Sequence, residues 1–125
     1  MSKQLIKIVL PQLAQRLHRQ VRRYRAGHLT DAQFAQQFED LVEKQYAWLS
    51  DRGVPDVQAA VAVQGAVLVL TGPGLRAEAE EEGVPLEVVE SRAIRDAAAD
   101  IARSHGASEL RVYRQLAAIM AQYGE

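Results

Sequence analysis

Residues 57–70 read Val57-Gln-Ala-Ala-Val-Ala-Val-Gln-Gly-Ala-Val-Leu-Val-Leu70, and the assignment of this one stretch decides the fold class. Its valines suit a strand and its alanines a helix. Read as strands, it would turn back on itself at Gln64-Gly65. A type I′ turn wants Asn or Asp before its glycine, however, and a type II′ turn wants the glycine first. The turn chemistry is poor, and the stretch reads as a helix. Apolar on every side, such a helix belongs in the middle of a bundle.

Upstream, Leu10, Leu13, Leu17, Val21 and Tyr24 recur at helical spacing and fall in one stripe. Arg16, Arg19, Arg22 and Arg23 project from the other side. Continued backwards, the same phase puts Leu5, Ile8 and Val9 among the arginines, so residues 4–10 read as a separate apolar arm. Pro11 then opens the helix, where its missing N–H costs nothing, and Gly27 closes it. A second helix begins at Thr30, which forms a capping box with Gln33, while Leu29 can staple to Phe34. Phe34, Phe38, Leu41, Val42, Trp48 and Leu49 trace its buried face, and Gly53 with Pro55 ends it. So short a link predicts an antiparallel helical hairpin.

Downstream, Thr71-Gly72-Pro73-Gly74 breaks the chain. Leu75 to Glu82 reads as a short helix ending in the acidic run Glu80-Glu81-Glu82, closed by Gly83. Pro85 opens a longer helix lined by Leu86, Val89, Ala93, Ile94, Ala97, Ala98 and Ile101, with its exit at His105-Gly106. Ser108 can cap a last helix whose inner positions are expected at Leu110, Tyr113, Leu116, Ala117 and Met120.

A chain of 125 residues is the size of one domain and can bury a core without staples. With no cysteine, disulfides, thiolate metal sites and a Cys nucleophile are excluded, and a cytoplasmic location is the default. The N-terminus has no secretory cleavage pattern, and no apolar run reaches the roughly 20 residues that span a bilayer. Charge is sharply divided. The first 28 residues carry seven basic side chains and no acid, whereas the rest holds eight basic and sixteen acidic, so +7 faces −8 inside a net charge of −1. Such a bias implies either an anionic partner for the first helix or neutralisation by the acidic remainder, with Glu39, Asp40, Glu43 and Glu80 to Glu82 as candidates.

No reactive motif stands out. Thr71-Gly72-Pro73-Gly74 lacks the Gly-Lys-Ser/Thr of a phosphate loop, and an acidic helix follows it. His18, His28 and His105 have no partner at metal-binding spacing, and His105 suits a helix C-terminus. The carboxylate pairs Glu39 with Glu43, Glu87 with Glu90 and Asp96 with Asp100 lie beside basic residues, as ion pairs on a wet face do. Ser91, Ser104 and Ser108 sit in no nucleophile elbow. A hollow holding one of the histidines beside a carboxylate would be the sign of an enzyme.

The pattern Gly27-x-Leu29-Thr30-x-x-x-Phe34 is similar to helical hairpins of the short C-terminal oligomerisation type. Its residues are those any capped helical hairpin would use, and no family is claimed on it. The sequence predicts an all-α single-domain bundle over residues 1–125, with five or six helices and a hairpin at each end. The function it implies is non-enzymatic, a helical interaction or regulatory module acting by protein–protein contact. Self-association is expected through Leu5, Ile8 and Val9. The alternative is binding of nucleic acid or an anionic surface through Arg16, Arg19, Arg22 and Arg23. No cofactor, metal or transmembrane segment is expected.

Overall fold

The computed structural model describes residues 2–124 and builds them from six helices: α1 (Ser2–Arg25), α2 (Asp31–Asp51), α3 (Asp56–Leu70), α4 (Gly72–Glu82), α5 (Leu86–His105) and α6 (Glu109–Tyr123). No strand occurs among the described residues. The decisive stretch is α3, which touches each of the other five helices. Ala59, Val61, Ala62, Val63, Ala66 and Leu68 are buried around its whole circumference. Gly65 marks a close approach and not a turn. A Cβ there would sit 2.7 Å from Cδ1 and 3.2 Å from Cγ2 of Ile119 on α6, so any side chain at this position would make Ile119 shift.

The first helix departs from expectation. Residues 4–10 are no separate arm, because α1 runs unbroken through Pro11. A proline inside a helix removes one bond to the carbonyl four residues back, here that of Lys7. Both Pro11 and Lys7 are exposed, so water can satisfy that carbonyl. Ile6, Val9 and Leu13 are fully buried, and Leu5, Leu10 and Leu17 pack against the same core. The buried arc is wide at this end because α1 lies against both α2 and α3. Beyond Leu13 no α1 side chain is fully buried.

At the far end of α1 the amides of Gly27 and His28 donate to the carbonyls of Tyr24 and Arg23, at 3.1 and 2.9 Å, with Gly27 at φ 81°. This backbone cap turns the chain into α2. Both bonds of the Thr30–Gln33 capping box are formed. Leu41 and Leu49 are buried as expected, and so is Gln45, which the apolar pattern passes over. Its amide donates to Oε1 of Gln12 on α1 at 2.9 Å, while its own Oε1 has no partner.

Only Thr71 separates α3 from α4, and the two helices meet at 57°. The helix starts three residues earlier than Leu75, since Pro73 falls in its first turn where proline is tolerated. No single described helix is long and apolar enough to cross a membrane. α5 buries Val89, Ile94, Ala98 and Ile101 and ends at Gly106 in the left-handed region. Ser108 caps α6 as expected, and of the expected inner positions Leu116 and Met120 are buried while Tyr113 and Ala117 pack on the core. Val112, Leu116, Ile119 and Met120 are buried, whereas Leu110 is 59% exposed. The buried side is wider than the expected stripe and takes in Ile119, which lies against Gly65 of α3.

Candidate anion-binding groove

The outer half of α1 and the facing side of α2 enclose a groove of about 560 Å³. Arg16, Arg19 and Arg23 line it from α1, and Lys44 and Asp40 from α2. Arg22 and His28 join Arg19 and Arg23 in an adjoining hollow of about 400 Å³. All four arginines singled out in the sequence therefore stand together at one continuous surface. The floor includes Leu41 and Gln20, whose Nε2 donates to the Gln37 carbonyl at 3.1 Å. Oε1 of Gln20 is buried without a partner. Tyr24 closes the end of the helix pair, its ring 4.8 Å from that of Phe34 and its hydroxyl donating to Asp31. That hydrogen bond, and then the Asp31 charge, raise the Tyr24 phenol above its ordinary value.

Among the described residues the guanidinium groups of the groove are not neutralised by direct contact. Among the described residues the ion pairs are Arg92 with Glu82, at 2.7 Å, and Arg103 with Asp100. Asp40 shares the groove, but its carboxylate accepts from Gln36 and forms no ion pair there. Glu80 to Glu82 are on α4, which packs on α5 and α3. The carbonyls at the end of α1 are taken by backbone amides, so the arginines are not needed as caps. Arg22, Arg23 and Arg25 do gain from the helix dipole in the last turn. Arg16 and Arg19 are too far upstream for that. Like charges at i, i+3 and i+4 along Arg16, Arg19 and Arg23 each cost the helix about 0.2–0.5 kcal/mol. An anion in the groove would relieve that repulsion.

The apolar residues expected to drive self-association are dispersed. Val9 is fully buried in the protomer's own core and Leu5 is half-buried against it, so Ile8 alone is open to solvent, at 45% exposure. Their burial follows from the unbroken α1, whose first turns are covered by α2 and α3.

A second hollow, of about 260 Å³, is of the kind named above as the sign of an enzyme, with a histidine beside carboxylates. It lies between α2, α3 and α5, and brings His105, Asp100, Ser104 and Glu43 over an apolar floor that includes Val63 and Ile101. The His105 ring stacks on Tyr46, with centroids 6.2 Å apart. Burial first, and the Asp56 charge second, raise the Tyr46 phenol. Asp100 accepts from Arg103, and no hydrogen bond joins His105 to a carboxylate or to Ser104 among the described residues. The components of a proton relay are near one another without being connected. Only the three-dimensional packing of distant helices could reveal this hollow. Among the described residues no group of three or more acidic or histidine side chains is placed to hold a metal ion.

The chain matches no known family model, no characterised protein and no solved structure.

Proposed function

We propose that this protein is a non-enzymatic interaction module that seats an acidic segment of a protein partner in the α1–α2 groove. The observation that carries this reading is the convergence of Arg16, Arg19, Arg23 and Lys44 on one groove, with no ion pair to any of them among the described residues. Arg forks match carboxylates as well as phosphates, and the α1 and α2 walls confine the occupant to a short run of chain. From Arg16 to Arg23 the row extends only about 10 Å, at 1.5 Å per residue. A short acidic segment fits that span. A long polyanion would continue onto a body with eight basic and sixteen acidic side chains, where it is repelled. Tyr24, the exposed aromatic beside the groove, already stacks on Phe34 and is not free to stack on a base.

Fluorescence anisotropy with a labelled oligoglutamate peptide tests the reading, beside a mixed-sequence DNA oligonucleotide of similar charge. The peptide is expected to bind at low salt, weaken as salt rises, and lose at least about tenfold in affinity with R16Q/R19Q/R23Q, a loss of roughly 1.4 kcal/mol or more. DNA binding tighter than peptide binding, with log affinity falling against log salt at a slope of roughly −3 to −4, would favour the nucleic-acid alternative. If neither probe binds, the groove is an ordinary wet surface and the proposal falls.

A further inference from the structure

We propose that the acidic segment held by the groove is the exposed edge of α4 from a second copy of this chain, so that protomers join head to tail. This rests on the reading of the groove given above. α4 carries Glu78, Glu80, Glu81 and Glu82 within an eleven-residue helix whose only cation is Arg76. Glu82 is committed to Arg92. Glu78, Glu80 and Glu81 are exposed and belong to no ion pair among the described residues.

Arg92 answers Glu82, but no cation is paired with Glu80 or Glu81 at the end of this helix among the described residues. The last turn presents the negative end of the helix dipole, where Glu80 and Glu81 are destabilising, and adjacent carboxylates repel one another. Like-charge repulsion also acts along Arg16, Arg19 and Arg23. Two surfaces of one molecule therefore each carry unrelieved charge, and the charges are opposite. Their spacing also corresponds. Glu78 and Glu81 lie one turn apart on one face of α4, as Arg16 and Arg19 do on α1, so two helices laid side by side can pair them in register.

The contact cannot form within one protomer, because α4 is packed on α3 and α5 while the groove belongs to α1 and α2. It must be made between copies, each using a different face. Such a heterologous contact leaves a free groove at one end and a free acidic edge at the other, and it continues into a chain or closes as a ring. This geometry explains how +7 and −8 can coexist in one small protein without meeting inside it. It does not use Leu5, Ile8 or Val9.

Sedimentation velocity on the whole protein tests the proposal, with two variants of exposed residues: R16Q/R19Q/R23Q in the groove and E78Q/E80Q/E81Q on the edge. Far-UV circular dichroism should show both folded as the wild type. At low salt the wild-type mass is expected to rise with concentration to at least about twice that of the monomer, and to return to monomer near 1 M salt, where the Debye length is about 3 Å. Each variant alone should stay monomeric. Mixed in equal amounts they should form a one-to-one dimer that grows no further, since one supplies the only intact groove and the other the only intact edge.

A wild type that remains monomeric at every concentration in low salt overturns the proposal, as does an edge variant that associates like the wild type. Oligoglutamate binding separates this failure from that of the underlying reading. An edge variant that binds the peptide normally keeps the groove as an acid-binding site whatever the oligomeric state, whereas a groove variant that still binds it removes both.

Discussion

The centre and the rim of this bundle are built on opposite terms. In α3 more than half of the residues are buried and only Asp56 is exposed, and a side chain at Gly65 would press on Ile119. In the outer half of α1 no side chain is fully buried, and Arg16, Arg19, Arg22 and Arg23 are all exposed. Packing constrains the first region and leaves the second to solvent and partner. Substitutions should therefore cost folding in one region and binding in the other.

The largest effect is expected at the point where α1 crosses from one regime to the other. Leu13 is its last fully buried residue, and Leu13→Ala should lower stability by about 4 kcal/mol in urea unfolding, through lost burial and a cavity. A loss below about 1 kcal/mol would show that the first half of α1 is loosely docked, and the comparison would need redrawing. The same reasoning warns against deleting residues 1–9 to probe association, because Ile6 and Val9 would leave the core. At the centre, Gly65→Val should cost about 3 kcal/mol by forcing α3 and α6 apart. Ile119→Val in the same chain should recover part of that loss, and strict additivity of the two changes would mean the close approach is not what constrains Gly65.

A smaller effect is tied to pH. Burial raises the Tyr46 phenol above 10.0 in the folded protein, so the fold favours its neutral form. Its contribution to stability is complete below about pH 10 and is lost as pH rises through the higher folded value. Tyr46→Phe should make stability fall less steeply above pH 10 than in the wild type. Parallel alkaline limbs for the two proteins would remove Tyr46 from the account. The smallest change is expected at the rim. R16Q/R19Q/R23Q should move stability by no more than about 1 kcal/mol, and upward if anything, because it removes two repulsions between like charges. A large destabilisation there would mean that the groove is part of the fold's support.

Much of the fold was legible because local chemistry and burial agreed. Thr30 and Gln33 formed the predicted capping box, Ser108 capped α6, and the all-apolar stretch took the central place its composition demanded. The errors came where neighbouring helices set the extent of burial. On α1, one narrow stripe suggested a break at Pro11, yet a helix flanked by two neighbours buries a wider arc and accommodates Val9 as well as Leu13. On α6 the expected stripe did face inward at Leu116 and Met120, with Tyr113 and Ala117 packed on the core, but its first member Leu110 lies beyond the cover of the neighbouring helices. Gln45 gave no signal at all, since an amide on an apolar face is recognisable as core only once Gln12 stands opposite it.

The candidate site divides the same way. The sequence by itself determined the all-α class, the caps of α2 and α6, the charge division and the common face of the arginines, because periodicity and composition act within a few turns of chain. Tertiary structure alone decided that α2 brings Lys44 and Asp40 to that face, that the acidic run on α4 is held away from it, and that Val9 is core. Those outcomes depend on which helices lie side by side. Helix packing is set by the fit of whole surfaces, which residues distant in the chain build together.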